Sequence, residues 1–177
     1  ETGNLYKVVQ GFINSFQVDN FELNHLQLKL LKNYDDTHRQ LVVNDLSLKV
    51  SNFHLDSSVI ESSNEILFSE SVEITIKNQN LNVNDGIHAL HFDSLTLSTL
   101  TNNLEVYSLK FDTIPGAKAK LETGEFNQYA LDVPYTGIKG VDFLKAYQEN
   151  ILHIDSIIFE TLELETHLQS VTRKDND

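Results

Sequence analysis

The side chains in this chain best able to do chemistry are seven histidines and 26 carboxylates. Neutral imidazole binds transition metals and titrates near neutral pH, so histidine spacing is the first thing to weigh. His25, His38, His54, His88, His91, His153 and His167 are scattered, and only His88 and His91 lie close together. Three residues apart on a strand, those two fall on opposite faces unless a bulge intervenes. His25, His54 and His153 sit near kinks or at polar strand positions. Ordinary exposed histidines explain this distribution better than metal ligands do. The carboxylates are equally dispersed. Asp35-Asp36 falls in a turn and Asp85 in a hairpin, while Glu160, Glu163 and Glu165 mark a solvated strand face rather than an acid/base pair. No Asp-x-Asp-x-Asp-Gly calcium loop, Gly-x-Ser-x-Gly elbow, phosphate loop or dinucleotide fingerprint is present. The expectation is a protein that is not an enzyme, with no catalytic, cofactor-binding or metal residue to name.

Composition narrows the options further. Of 177 residues, 26 are acidic and 13 basic, a net charge of -13 that repels phosphate backbones and argues against nucleic acid as a partner. A hydrophobic content of 40% is enough to fold. With no cysteine there is no disulfide framework, thiolate nucleophile or cysteine zinc site, which suits an extracytoplasmic protein. No apolar run approaches the roughly 20 residues that a spanning helix needs. The reading is a single β-rich domain over 1–177, or a fragment of a larger repetitive protein. Residues 1–3 read as a cloning remnant and 169–177 as a frayed tail.

What must position these side chains is a repeated strand phrase, apolar-x-apolar-x-x-apolar-x-apolar. Phe21, Leu23, Leu26 and Leu28 follow it, as do Leu48, Val50, Phe53 and Leu55. So do Leu90, Phe92, Leu95 and Leu97, then Leu104, Val106, Leu109 and Phe111, then Leu152, Ile154, Ile157 and Phe159. Ile157, Phe159, Leu162 and Leu164 extend the last example. Each half alternates with period two, the strand signal. The central step would turn the second half to the other face unless a β-bulge absorbs the extra residue. Asn24-His25, Ser51-Asn52, Asp93-Ser94, Tyr107-Ser108 and Asp155-Ser156 are the candidate kinks. A short turn between two small strands is the competing explanation. The fold class expected is mainly β: a curled, bulged antiparallel meander sheet with one or two short covering helices. A closed sandwich whose apolar faces fill each other stands beside it.

Along the chain, residues 5–16 have near-helical apolar spacing. Strands are expected around 17–32, 39–56, 66–78, 87–99 and 103–113, with a loop at 57–65 and an Asp-Gly hairpin signal at Asp85-Gly86. Residues 117–133 read as one or two irregular strands, 141–150 as a short helix, and Leu152 to about Leu168 as the final strand.

These phrases resemble the AsmA- and TamB-like envelope proteins of Gram-negative bacteria. The likeness is carried by the segments that begin at Leu46, Ile74 and Leu90, and by the helix and strand from Val133 to Phe159. It covers most of 17–168 and rests on pattern. It implies a long β-groove facing the periplasm, associated with lipid handling or outer-membrane assembly, and it supplies no site residues. The expected partners are lipid acyl chains or neighbouring β-domains of the same protein. The alternative is a surface or extracellular interaction module, adhesin-like, that binds protein or glycan and can recruit a partner along a strand edge.

Overall fold

The structure is a computed structural model that describes residues 15–34, 37–55, 65–83, 86–114, 117 and 128–167. It holds one antiparallel sheet of eight strands: β1 (Phe16–Tyr34), β2 (Thr37–Leu55), β3 (Ser71–Asn82), β4 (His88–Ser98), β5 (Asn103–Thr113), β6 (Gln128–Lys139), β7 (Ser156–Glu160) and β8 (Glu163–His167). The order is a meander from β1 to β7, and β8 also pairs with β6. β7 and β8 are therefore two halves of one edge strand, broken at Thr161-Leu162. The sheet is open, with β1 and β7–β8 at its margins. One short helix, α1 (Phe143–Glu149), links β6 to β7. Asp142 caps it by accepting a 2.9 Å bond from the Lys145 amide. Val141, buried at its base, donates to the Asn102 carbonyl at 2.9 Å, which fixes the helix against the β4–β5 turn.

The three-residue step has a definite geometry. Pairing places Lys77 opposite Ser94, Ser94 opposite Tyr107, Tyr107 opposite Tyr135 and Tyr135 opposite Glu160. The next row is Asn78, Asp93, Ser108, Pro134 and Thr161, where the ladders skip. Each strand from β3 to β7–β8 thus carries its extra residue at the same height, and register is preserved across the sheet. Only β1–β2 shows register shifts, between Leu23 and Leu26 and between Leu26 and Leu28. The remedy for a broken alternation is a left-handed residue, at Asn78, Ser108 and Thr161 in this line, at His25 in the shifted β1–β2 register and at Asn52 near the other end of β2. The result is one crease across the sheet, with the apolar side chains of both halves on one face.

Several expectations are corrected. The 117–133 segment was expected to be irregular, yet its end is the start of β6, a twelve-residue strand that runs to Lys139. Pro134, which lacks an N–H, is tolerated in this central strand because it sits in the crease, where the ladder skips. Asp155-Ser156 is not a mid-strand kink. β6 ends at Lys139, so Leu152 and Ile154 have no strand to pair with and β7 starts at Ser156. Residues 66–69 form a turn closed by an Ile66–Ser69 bridge, and β3 begins at Ser71. The two apolar faces of a sandwich are replaced by one face of one sheet. The 5–16 helix, apart from its final residues, and the 57–64 loop lie outside the described residues, as do Asp35-Asp36 and Asp85.

Candidate functional site

The two sheet faces divide the polar and apolar side chains between them. On the polar face, His91 bridges two neighbours, with Nδ1 3.0 Å from Asn80 Oδ1 and Nε2 3.2 Å from Asp93 Oδ1. Hydrogen bonds from Ser108 and then His91 hold the Asp93 carboxyl below the usual carboxylate range. One strand further on, Lys110 meets Asp132 at 2.8 Å, and this bond and charge raise the lysine pKa. Both groups are exposed, so the pair adds little to stability. Tyr135 lies over Gly137 and donates to Glu105 at 3.3 Å. Desolvation, then the Glu105 charge, push its phenol pKa up. Tyr107 packs beside it with ring centroids 5.1 Å apart.

The expected histidines are not brought together. His25 pairs with Asp45 at 3.1 Å, and His54 contacts the Asn52 carbonyl and Glu65. His153 is exposed. His88 corrects the reading of ordinary exposed histidines: it is buried, stacked on Phe111 at 4.9 Å and tilted against Tyr129. It begins β4 on the same side as Leu90 and Phe92, opposite to His91. Among the described residues no three His, Cys, Asp or Glu side chains are grouped as a metal site. Glu160, Glu163 and Glu165 are exposed along the edge strand.

A cavity of about 440 Å³ lies where α1 meets the β4–β5 turn, lined by Glu70, Asn102, Asp142 and Asp155 among others. Its carboxylates have structural duties. Glu70 accepts from the Asn52 amide, Asp142 caps α1, and Asp155 abuts Gly140.

The apolar face is more distinctive. Leu23, Leu48, Ile74, Leu97, Leu104, Ile138 and Ile157 pair in sequence and form a row of aliphatic side chains across every strand of the meander. Beside it runs Leu46, Ile76, Leu95, Val106, Thr136 and Phe159. Beyond the crease, Leu81, Leu90, Phe111, Leu131 and Leu164 make another. Val106, Phe92 and Val133 in the middle strands are buried, Val133 completely, whereas Phe21 and Leu28 on β1 and Phe159, Leu162 and Leu164 on β7–β8 are exposed. Besides His88, two buried polar groups interrupt the face among the described residues. Gln79 is buried, and its amide donates to the Val42 carbonyl at 2.6 Å while Oε1 accepts nothing. Thr136 Oγ1 is likewise buried without a partner. Sequence patterning identified most of the aliphatic rows but not Gln79 or Thr136, which occupy positions in those rows.

The arrangement supplies a broad apolar surface with an open edge and no reactive constellation among the described residues. No helix of the described residues is long and apolar enough to cross a membrane. Comparison with known proteins finds no matching family model, no matching characterised protein and no matching solved structure.

Proposed function

We propose that this chain is a non-enzymatic cell-envelope domain, periplasmic or otherwise extracytoplasmic, whose apolar sheet face handles lipid acyl chains or supports outer-membrane assembly. The observation that carries the reading is the aliphatic row from Leu23 to Ile157, which crosses an open sheet from β1 to β7. Burying a methylene yields about 0.8 kcal/mol, so a chain with ten buried methylenes gains on the order of 8 kcal/mol before the costs of ordering it. The resemblance of the strand phrases to AsmA- and TamB-like proteins points the same way. Lipid extraction of the purified protein followed by mass spectrometry, with uptake of a fluorescent acyl probe, tests it. Copurified lipid and saturable uptake are expected. A lipid-free protein that takes up no probe would sink the idea.

A second reading is a surface or extracellular interaction module, adhesin-like, that recruits a partner strand by β-augmentation. The exposed apolar residues on the outermost strand, Ile157, Phe159, Leu162 and Leu164, favour it. It predicts a dry face, no bound lipid, and a partner protected at β7–β8.

A further inference from the structure

The edge strand formed by β7 and β8 exposes every described side chain from Ser156 to Thr166. Ile157, Phe159, Leu162 and Leu164 lie on the apolar side, between 47% and 61% exposed. Glu160 and Glu163 lie on the other. Among the described residues its only strand partner is β6, so alternate backbone N–H and C=O groups point away from the sheet. An apolar edge of this kind invites another strand.

Two features select which strand fits. The first is the two-residue step at Thr161, which the strands from β3 onward match in register and which Asn78 and Ser108 share as left-handed residues. An incoming antiparallel strand keeps its apolar residues on the apolar face only if it carries the same two-residue step. The second is charge. A second copy that offers its β1 meets the first condition, since Phe21, Leu23, Leu26 and Leu28 follow the phrase. With the steps aligned, however, Glu22 falls opposite Glu163, and each copy brings a net charge of -13. Like charges directly opposite destabilise a pair. Two β7–β8 edges laid together with their steps aligned put Glu160 opposite Thr161 and Glu163 opposite Ile158, which gives neither glutamate a cation.

We propose that β7–β8 docks a basic strand from a different chain. That strand carries the apolar-x-apolar-x-x-apolar-x-apolar phrase with Lys or Arg opposite Glu160 and Glu163. This inference rests on the interaction-module reading, for which it names the partner chemistry, and it is independent of the acyl-chain reading.

The test uses three labelled peptides of that phrase, titrated into the whole chain by fluorescence anisotropy. One has lysine at the x positions, one has glutamine there, and one is the lysine peptide N-methylated on alternate amides. The lysine peptide is expected to bind, more tightly at low salt, with amide-exchange protection confined to Ser156–His167. The double variant Glu160→Lys/Glu163→Lys, which alters only exposed side chains, is expected to weaken it by about tenfold. Equal binding of lysine and glutamine peptides overturns the charge rule but leaves edge docking standing. Equal binding of the N-methylated peptide, or no binding of any peptide, overturns both.

Discussion

Asn78 and Ser108 flank Asp93 across three neighbouring strands, and both hold a left-handed backbone, at φ of 50° and 55°. Thr161 adopts the same conformation two strands beyond, at 52°. Asparagine tolerates this region, whereas a β-branched residue pays about 1–2 kcal/mol there. Glycine would avoid that cost but lose about 0.5–1 kcal/mol in chain entropy. Thr161→Gly is therefore expected to raise stability by about 0.5–1 kcal/mol, and Asn78→Gly to change it by a few tenths at most. Urea unfolding midpoints at constant slope check this. An unaltered or lower midpoint for Thr161→Gly would show that the crease at the edge is not strained.

Two glycines separate steric from conformational cost. Gly140 has φ of +65°, and a Cβ there would overlap the Asp155 carboxylate. Gly140→Ala is expected to cost about 2–4 kcal/mol. In an Asp155→Gly background, which also removes the Asp155 Cβ only 2.7 Å away, the penalty should fall to about 1–2 kcal/mol, since the backbone cost remains. Gly137 differs, because a Cβ would meet the Tyr135 hydroxyl at 2.8 Å and its ring carbons at 3.2 Å. The ring can swing aside, so Gly137→Ala should cost only about 1 kcal/mol, with loss of the Glu105 bond. Thermal unfolding of the three variants ranks them.

Gln79 is a polar residue in an apolar row. Gln79→Met removes the bond to the Val42 carbonyl but also an acceptor with no partner, so the net change is expected to stay within about 1 kcal/mol. Gln79→Glu buries a carboxylate against the Val42 and Asn80 carbonyls and is expected to cost about 3 kcal/mol or more at neutral pH. Burial raises the pKa of such an acid, so the fold binds its proton more tightly than the unfolded chain does. Stability should then recover as pH falls through that raised value. A Gln79→Glu protein equally unstable at pH near 5 and near 8 would contradict this placement.

The raised pKa of Tyr135 has a pH signature. Its ordinary value is 10.0, and desolvation together with Glu105 holds the folded value higher. The stabilising contribution is complete below the ordinary value and disappears as pH climbs through the folded one, because the unfolded chain releases its proton first. Ultraviolet titration should show Tyr135 ionising late. Tyr135→Phe should abolish that late phase and flatten the alkaline loss of stability, and Glu105→Gln should move the phase earlier.

The strand phrase was legible where all four of its anchor positions are apolar. β1, β2, β4 and β5 satisfy that condition, and their bounds fall close to expectation. It was hidden in β3, where Gln79 fills an anchor, and in β6, where Pro134 and Thr136 break the pattern. Alternation reports burial rather than backbone pairing, so a buried polar side chain removes the signal without removing the strand. The recurring step already suggested kinks that align, but which residues share a row depends on which strands become neighbours. The burial of His88 was equally hidden, since the ring is sheltered by Phe111 and Tyr129 from two other strands.

Each strand of the meander pairs with the strand that follows it in the chain, and the one added pairing, β8 with β6, continues the same edge. No long-distance crossover must close before the next contact can form. Assembly can therefore advance as a zipper, hairpin upon hairpin, with each new ribbon templated by the one before it. Cooperativity in such an array comes from neighbours alone, so the outermost ribbons are the first to open and the middle strands the last to let go.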